Sequence, residues 1–249
     1  TYTFEFDPRW PDAMYLPEED NENFEYSKKI NISIDKIEGE KIEGHSVVAG
    51  NYRPFIGSIK KDSGRYFVEA KEPGDHPNDG VFKFQMNDTM LYGTWVANDK
   101  KDSVPRKYEL KRRVFQYDPE IQLEHVTSYV DYKKAREAYL KYDENDSFMA
   151  EYHATATDKI YEINASNTVL TATDVSNLKK GDLIIIRNAI YARHGYSFKN
   201  KALRMFFDAQ EWYIPVNSDI KDELSETEKN NIELLMTYEK NAEEYYDYF

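Results

Sequence analysis

Short alternating segments separated by turn residues fill residues 28–117, and this pattern constrains the fold more than any other feature of the sequence. Ile30, Ile32 and Ile34 alternate with polar residues, which is the period of a strand with one buried face. Further strands are predicted at 41–49, around Phe55, and at 65–71, 81–86, 91–97 and 107–117. Because no helical pattern intervenes, we predict an antiparallel meander that is closed as a barrel or folded as a sandwich.

The sequence changes to a helical period near its C-terminal third. Leu183, Ile186 and Ile190 share one face at helical spacing. Gly195 stands where such a helix would end in a left-handed residue. We therefore predict a helix that ends close to this glycine.

Two more helices are predicted after it. The first covers residues 201–208. Ser225 followed by Glu228 is a capping box, which indicates the start of the second. The apolar positions assigned to that helix are Ile232, Leu235 and Met236. The aromatic end, residues 245–249, is expected to pack on another part of the protein rather than lie in solvent.

The stretch between these two regions is interpreted as a connector. Within it a helix is predicted over residues 126–142 and a strand over 159–163. The predicted fold class is α+β, with an N-terminal antiparallel β-barrel or sandwich followed by a small helical C-terminal domain. The expected boundaries are 1–120 for the β domain, 121–170 for the connector and 171–249 for the helical domain.

Composition excludes several classes of partner and chemistry. The net charge of −13 disfavours nucleic acid and anionic membrane surfaces, because phosphate binding needs a basic footprint. The cluster Lys111-Arg112-Arg113 would be split between the two faces of a strand. The absence of cysteine excludes disulfides and thiolate metal sites. The longest aliphatic run has four residues, so no transmembrane span is predicted.

Residues 191–195 read Tyr-Ala-Arg-His-Gly, and the residues around them extend the pattern. Arg187-Asn188 precedes the motif, Phe198 follows it, and Trp212-Tyr213 with Pro215 comes later. The last third of the chain thus resembles the YARHG domain. The resemblance implies an exported bacterial protein, which is periplasmic, an outer-membrane lipoprotein or on the cell surface. The chain begins at Thr1 rather than Met, so we expect that a signal segment has been removed.

The motif and the aromatic pair supply the candidate ligand-binding residues. These are Asn188, Tyr191, Arg193, His194, Trp212 and Tyr213. One interpretation is an anion or general-base site at a helix end, with a stacking platform for a sugar ring. In the other, the two cations donate to the carbonyls at the helix C-terminus, and the aromatic side chains complete a small core.

No complete catalytic motif is present in the sequence. The five histidines are spread along the chain without ligand spacing, and there is no nucleophile elbow, P-loop or dinucleotide fingerprint. We therefore predict no metal, no cofactor and no enzymatic activity.

Three functions follow as hypotheses. The first is a non-enzymatic cell-envelope or extracellular protein that binds or supports an envelope component or another envelope protein. The second is a small-molecule carrier with a barrel cavity, for which Phe82, Phe84, Trp95 and Tyr108 are the predicted inward residues. The third is a hydrolase of envelope glycans, which would need two facing carboxylates.

Overall fold

The first part of the protein is an antiparallel sheet that curls on itself. The structure is a computed structural model, and it describes residues 2–5, 29–74, 76, 79–98, 105–141 and 147–248, with only the backbone for residues 2–5. The strands are β1 (Tyr2–Glu5), β2 (Ile30–Glu38), β3 (Lys41–Val48), β4 (Asn51–Asp62), β5 (Arg65–Lys71), β6 (Gly80–Met86), β7 (Met90–Ala97) and β8 (Arg106–Arg113). Strands β2 to β8 form a seven-strand meander, and β1 pairs with both β2 and β8 and closes the ring.

The concave side of the sheet holds the core that the alternating pattern predicted. Ile30, Ile32 and Ile34 are all buried. Phe55 contacts Phe82, with ring centroids 5.5 Å apart, and also Phe84. The remaining space is filled mainly by Ile42, Ile59, Val68, Leu91 and Leu110. Aromatic and aliphatic side chains therefore occupy the interior of the sheet.

The second part contains the helices. These are α1 (Ala172–Val175), α2 (Lys180–Arg193), α3 (Lys201–Asp208) and α4 (Glu226–Glu239), with 3-10 turns at Asp158–Tyr161 and Lys221–Glu223. Leu183, Ile186 and Ile190 lie at the centre of its core, as their spacing predicts. Ile232, Leu235 and Met236 all lie on α4, as predicted; the first two are buried and Met236 is 48% exposed. The predicted α+β class is confirmed.

A three-stranded antiparallel sheet accompanies these helices, in the order β11-β10-β9. Its strands are β9 (Val130–Lys141), β10 (Ser147–Thr155) and β11 (Tyr245–Tyr248). The helix predicted over 126–142 was therefore wrong, because residues 130–141 form β9 and pair with β10; residue 142 lies outside the described residues. The predicted strand over 159–163 was also wrong, since a 3-10 turn occupies Asp158–Tyr161. Residues 245–248 of the aromatic end pack as expected, through β11 pairing with β10, and Phe249 lies outside the described residues.

By their internal contacts the residues form two compact units. The first holds residues 1–116 with 214–218, and the second holds 117–213 with 219–249. Residues 214–218 count with the first unit, in which the Asn31 amide donates to the Pro215 carbonyl at 2.6 Å. The three-part division at residues 120 and 170 stays a prediction.

Both predicted helix ends are present. Gly195 has a φ of 69°, its N–H donates to the Ala192 carbonyl, and the next N–H donates to the Tyr191 carbonyl. This is a Schellman end, which needs a residue in the left-handed region. At the start of α4, the Ser225 hydroxyl accepts from the Glu228 N–H, and the Glu228 carboxylate accepts from the Ser225 N–H. This is the predicted capping box.

A close approach at Gly181 generates the first testable prediction. A Cβ at this position would lie 2.7 Å from the Thr155 carbonyl carbon and closer still to its oxygen. We expect Gly181→Ala to lower the free energy of unfolding by about 2 kcal/mol, because the backbone of β10 would have to move. Urea denaturation measures the change.

The neighbouring Lys180→Ala variant is the control, with an expected change within about 0.5 kcal/mol. Alanine has a better helix propensity than glycine by about 1 kcal/mol, so without the clash Gly181→Ala would stabilise the protein. A stabilised variant would therefore contradict the predicted packing of α2 on β10.

Candidate functional site

The candidate residues on α2 face into the second unit. Arg193 and His194 are 3% and 2% exposed, and Asn188 is also buried. The Asn188 amide donates to the Ile184 carbonyl of its own helix at 2.7 Å. Tyr191 is half-buried and packs near Tyr196. The helix therefore brings the motif together, but on its inner side.

The two aromatic candidates differ in their surroundings. Tyr213 is 1% exposed, its hydroxyl donates to the Tyr196 carbonyl at 2.7 Å, and its ring contacts Phe198 and Phe207. Trp212 is half-buried and packs against the same core. Its indole N–H is buried and has no hydrogen-bond partner in the part of the chain that the structure describes. Tyr213 is a core residue, and the stacking role of the pair stays a prediction.

The carboxylate of Glu228, which was not among the candidate residues, lies at the centre of the hydrogen bonds around the motif. Glu228 has no exposed surface. His194 Nε2 lies 3.1 and 3.0 Å from its two oxygens, and the Tyr117 hydroxyl donates to it at 3.1 Å. Because an ionised carboxylate only accepts, the Nε2 atom of His194 carries the proton. The Tyr117 ring stacks on the imidazole, with centroids 4.1 Å apart.

These contacts hold Glu228 in its charged form. Burial acts to raise the pKa of its carboxyl, but the hydrogen bonds from His194, Ser225 and Ser166 outweigh burial and lower it to about 2. Burial, together with the nearby Glu228 charge, raises the pKa of the Tyr117 hydroxyl to about 12. Tyr117 is therefore a neutral donor, and Glu228 is an anion at every pH above about 3.

Arg193 supplies the second charge of this cluster. Its Nε atom donates to the Ile121 carbonyl at 2.8 Å, and a terminal nitrogen reaches the Ser166 hydroxyl at 3.4 Å. Burial lowers the pKa of its guanidinium to about 10, while the charge of Glu228 works in the other direction. Arg193 is thus a buried cation at neutral pH. Its charge and that of Glu228 compensate each other.

The expected capping role of the two cations was wrong in its detail. Arg193 donates to the Ile121 carbonyl and His194 to the Glu228 carboxylate, so neither side chain needs the carbonyls at the end of α2. The backbone N–H groups that follow the helix already satisfy those carbonyls in the Schellman end. The long side chains are therefore free to reach neighbouring segments.

Most of the partners in this cluster could not be read from the sequence. Glu228 was marked only as a member of a capping box, which explains just one of its two roles. Tyr117, Ile121 and Ser166 carry no local signal for their contacts with the motif. They lie at least 27 positions away from the motif residues they contact. Only the packing of distant segments brings them together.

The first unit has a separate cluster of charged side chains. Glu72 is buried, and one of its oxygens accepts from the Gly80 N–H at 2.7 Å and from the Trp95 indole at 3.0 Å. Burial raises the pKa of its carboxyl, and these two hydrogen bonds oppose the rise. Arg53 forms an ion pair with Asp79, the residue before Gly80. These contacts attach the connection between β5 and β6 to the sheet.

Metal binding finds no support in the geometry. Across the described ranges, no three histidine, aspartate or glutamate side chains converge as a metal site would require. None of the helices in that part of the chain has the length and apolar character needed to cross a bilayer.

Comparison with known proteins gives one match. The YARHG domain model matches residues 158–240, so the C-terminal third of the chain carries a YARHG domain and the predicted resemblance is confirmed. This domain is typical of exported proteins. No curated protein and no solved structure matches the chain.

The depressed pKa of Glu228 predicts how stability depends on pH. Its folded value of about 2 lies below the ordinary 4.5, so its contribution is present above about pH 4.5 and is lost as the pH falls towards 2. We expect Glu228→Gln to lower the free energy of unfolding at neutral pH by on the order of 3 kcal/mol. The difference from the wild type should narrow as the pH falls through that window, as measured by urea denaturation.

Glu226→Gln is the matched control for this experiment. Glu226 lies in the same helical turn, but its side chain is 83% exposed. We expect it to change stability by no more than about 0.5 kcal/mol. A Glu228→Gln difference that stays constant across the acid range would show that the lost stability does not come from the carboxylate charge.

Removal of either the Arg193 or the His194 side chain should destabilise the protein more than loss of a surface cap. We expect Arg193→Ala and His194→Ala each to cost about 3 kcal/mol, because Glu228 would stay buried without full compensation. The exposed Arg136 and His125 offer controls, and their alanine variants should cost less than about 1 kcal/mol. Thermal and urea denaturation give the values. Costs equal to those of the controls would place the two side chains outside any structural role.

Proposed function

We propose that this protein, which carries a YARHG domain at residues 158–240, is an exported, non-enzymatic component of the bacterial cell envelope. In this proposal the YARHG domain is a structural module. The supporting observation is that the polar side chains of its motif are buried. Arg193, His194 and Glu228 are each no more than 3% exposed, and each has a partner inside the second unit.

The contacts of these groups argue against a catalytic role. A general acid or base must come within hydrogen-bond reach of its substrate. His194 Nε2 is occupied by the Glu228 carboxylate, and the Tyr117 ring covers one face of the imidazole. Arg193 donates to a backbone carbonyl. A substrate would have to displace all of these contacts to reach the motif.

The proposed location follows from the domain. A YARHG domain is typical of exported proteins, which favours the periplasm, an outer-membrane lipoprotein or the cell surface. The partner in this proposal is an envelope component or another envelope protein. The polar cluster of Arg193, His194 and Glu228 is enclosed by the core of the chain. This enclosure favours a binding role over a catalytic role.

The carrier hypothesis has less support. Phe82 and Phe84 point into the curled sheet and are buried, and Trp95 and Tyr108 pack against the same core. Phe82 and Tyr108 are in ring contact at 6.3 Å. Side chains therefore occupy the space that a ligand of this kind would need.

The hydrolase hypothesis needs two carboxylates that face each other across a cleft. The buried carboxylates of the first unit, Glu72 and Asp79, are each held by structural partners. Glu228, in the second unit, is enclosed. Each of these groups is already used in stabilising the fold, which favours the non-enzymatic proposal.

Co-sedimentation with envelope fractions tests the proposal. We expect saturable binding of the purified protein to isolated cell-wall sacculi or to outer-membrane vesicles. Tyr191→Phe and Trp212→Phe, which preserve packing at the motif, should bind as the wild type does. Absence of binding to both fractions would overturn the envelope proposal. If a folded Tyr191→Phe variant loses binding, the motif itself takes part in binding.

A further inference from the structure

The outward side of the curled sheet carries a row of side chains that face solvent. In register across five strands lie Lys60 on β4, Phe67 on β5, Gln85 on β6, Tyr92 on β7 and Glu109 on β8. We call these residues the aromatic row. They alternate with buried neighbours such as Val68 and Phe84, so they face away from the core.

The two rings of the aromatic row are open to solvent. Phe67 is 45% exposed and Tyr92 is 40% exposed. They lie two strands apart, which is about 10 Å. Gln85 stands between them; its side-chain carbonyl accepts from Arg65 at 3.4 Å, and its amide nitrogen is a donor. Two apolar surfaces with a polar group between them form a platform for a ligand with several rings.

A shallow groove of about 490 Å³ runs over this platform. Its wall includes Ser58, Lys60, Phe67, Lys83, Gln85 and Tyr92. A second depression, lined in part by Arg65 and Asn87, shares Gln85 and Tyr92 with it. The two therefore form one continuous surface.

The charge of the outward positions around the aromatic row is opposite to that of the protein. The outward positions of β4 to β8 hold seven cations and three carboxylates, a net charge of +4 on a chain with −13. The cations are Lys60, Arg65, Lys71, Lys83, Lys107, Lys111 and Arg113, and the carboxylates are Asp62, Glu69 and Glu109. In the described part of the chain Lys60, Lys71, Lys107 and Lys111 have no carboxylate partner, whereas Lys83 pairs with Glu69 at 3.2 Å. Unpaired cations attract an anionic partner.

We infer that the aromatic row and the cations around it bind an anionic glycan, a polymer of sugars that carry carboxylates. Sugar rings would stack on Phe67 and Tyr92, hydroxyls would pair with Gln85, and carboxylates would lie near Lys60. The ring spacing is close to the length of a disaccharide, so alternate sugars of one chain reach both rings. This inference rests on the proposed envelope role and names the ligand.

An extended acidic peptide fits this surface less well. Peptides commonly bind a sheet by adding a strand at a free edge. Here β1 pairs with both β2 and β8, so the ring of strands is closed at that position, and the groove lies over side chains in mid-sheet. Stacking on exposed rings together with scattered cations suits a hydroxylated and carboxylated chain.

Titration calorimetry with a galacturonate hexamer tests the inference, with maltohexaose as the neutral probe of equal length. We expect binding of the galacturonate only, with an affinity that falls as NaCl is raised from about 50 to 500 mM. Phe67→Ala and Tyr92→Ala should each weaken binding about tenfold, since each removes a stacking surface. Lys60→Gln should weaken binding and make it less sensitive to salt.

The control variants are Tyr139→Ala and Lys36→Gln, which remove an exposed ring and an exposed cation away from the aromatic row. They should bind as the wild type does. Absence of galacturonate binding, or binding that survives Phe67→Ala and Tyr92→Ala together, would overturn the inference. Equally tight binding of a six-nucleotide oligothymidylate would also overturn it, because it would show attraction to polyanions in general.

The same double variant separates this inference from the envelope proposal. If wild type and Phe67→Ala/Tyr92→Ala both sediment with sacculi or vesicles, the envelope role stands and the glycan surface fails. If the wild type binds neither fraction, the envelope role itself fails. If the wild type binds the envelope fractions and the galacturonate and the double variant binds neither, both the envelope role and the glycan surface are supported.

Discussion

The compensation of one buried negative charge, that of Glu228, organises the second unit. A carboxylate without solvent or partners costs several kcal/mol, so Glu228 can be enclosed only where donors already meet. His194, Tyr117 and the Ser225 N–H supply those donors from three separate segments. Glu228 therefore joins three parts of the second unit: the start of α4, the end of α2 and the segment that begins at Tyr117. The Schellman end at Gly195 matters for the same reason, because it satisfies the carbonyls of α2 and leaves His194 free.

The sequence shows the local half of this arrangement and hides the other half. Ser225 and Glu228 are three positions apart, so their capping box is legible from spacing alone. The contact between His194 and Glu228 spans 34 positions, and that between Arg193 and Ile121 spans 72. No periodicity or motif encodes such distances. This is why the motif was recognised correctly while its hydrogen-bond partners were assigned to the nearest helix end.

The balance between local pattern and strand pairing explains which elements were predicted from the sequence and which were not. Alternating isoleucines on β2 specify a buried face within a few residues, and the structure has that face. Residues 130–141 contain Lys, Ala, Arg and Glu in close succession, which are good helix formers. They form β9 because β10, the next strand along the chain, pairs with them, and β10 pairs along its other edge with β11. Pairing within this sheet outweighs local helix propensity here.

Strand alternation also separates what the fold requires from what it merely permits. Phe82 and Phe84 fill the interior of the first unit, and their burial accounts for them. Phe67 and Tyr92 stand on the opposite side, where their rings are 45% and 40% exposed and leave an apolar surface in water. Burial therefore does not account for these two rings. The proposed glycan would cover them, and the cations beside them match the charge that it carries.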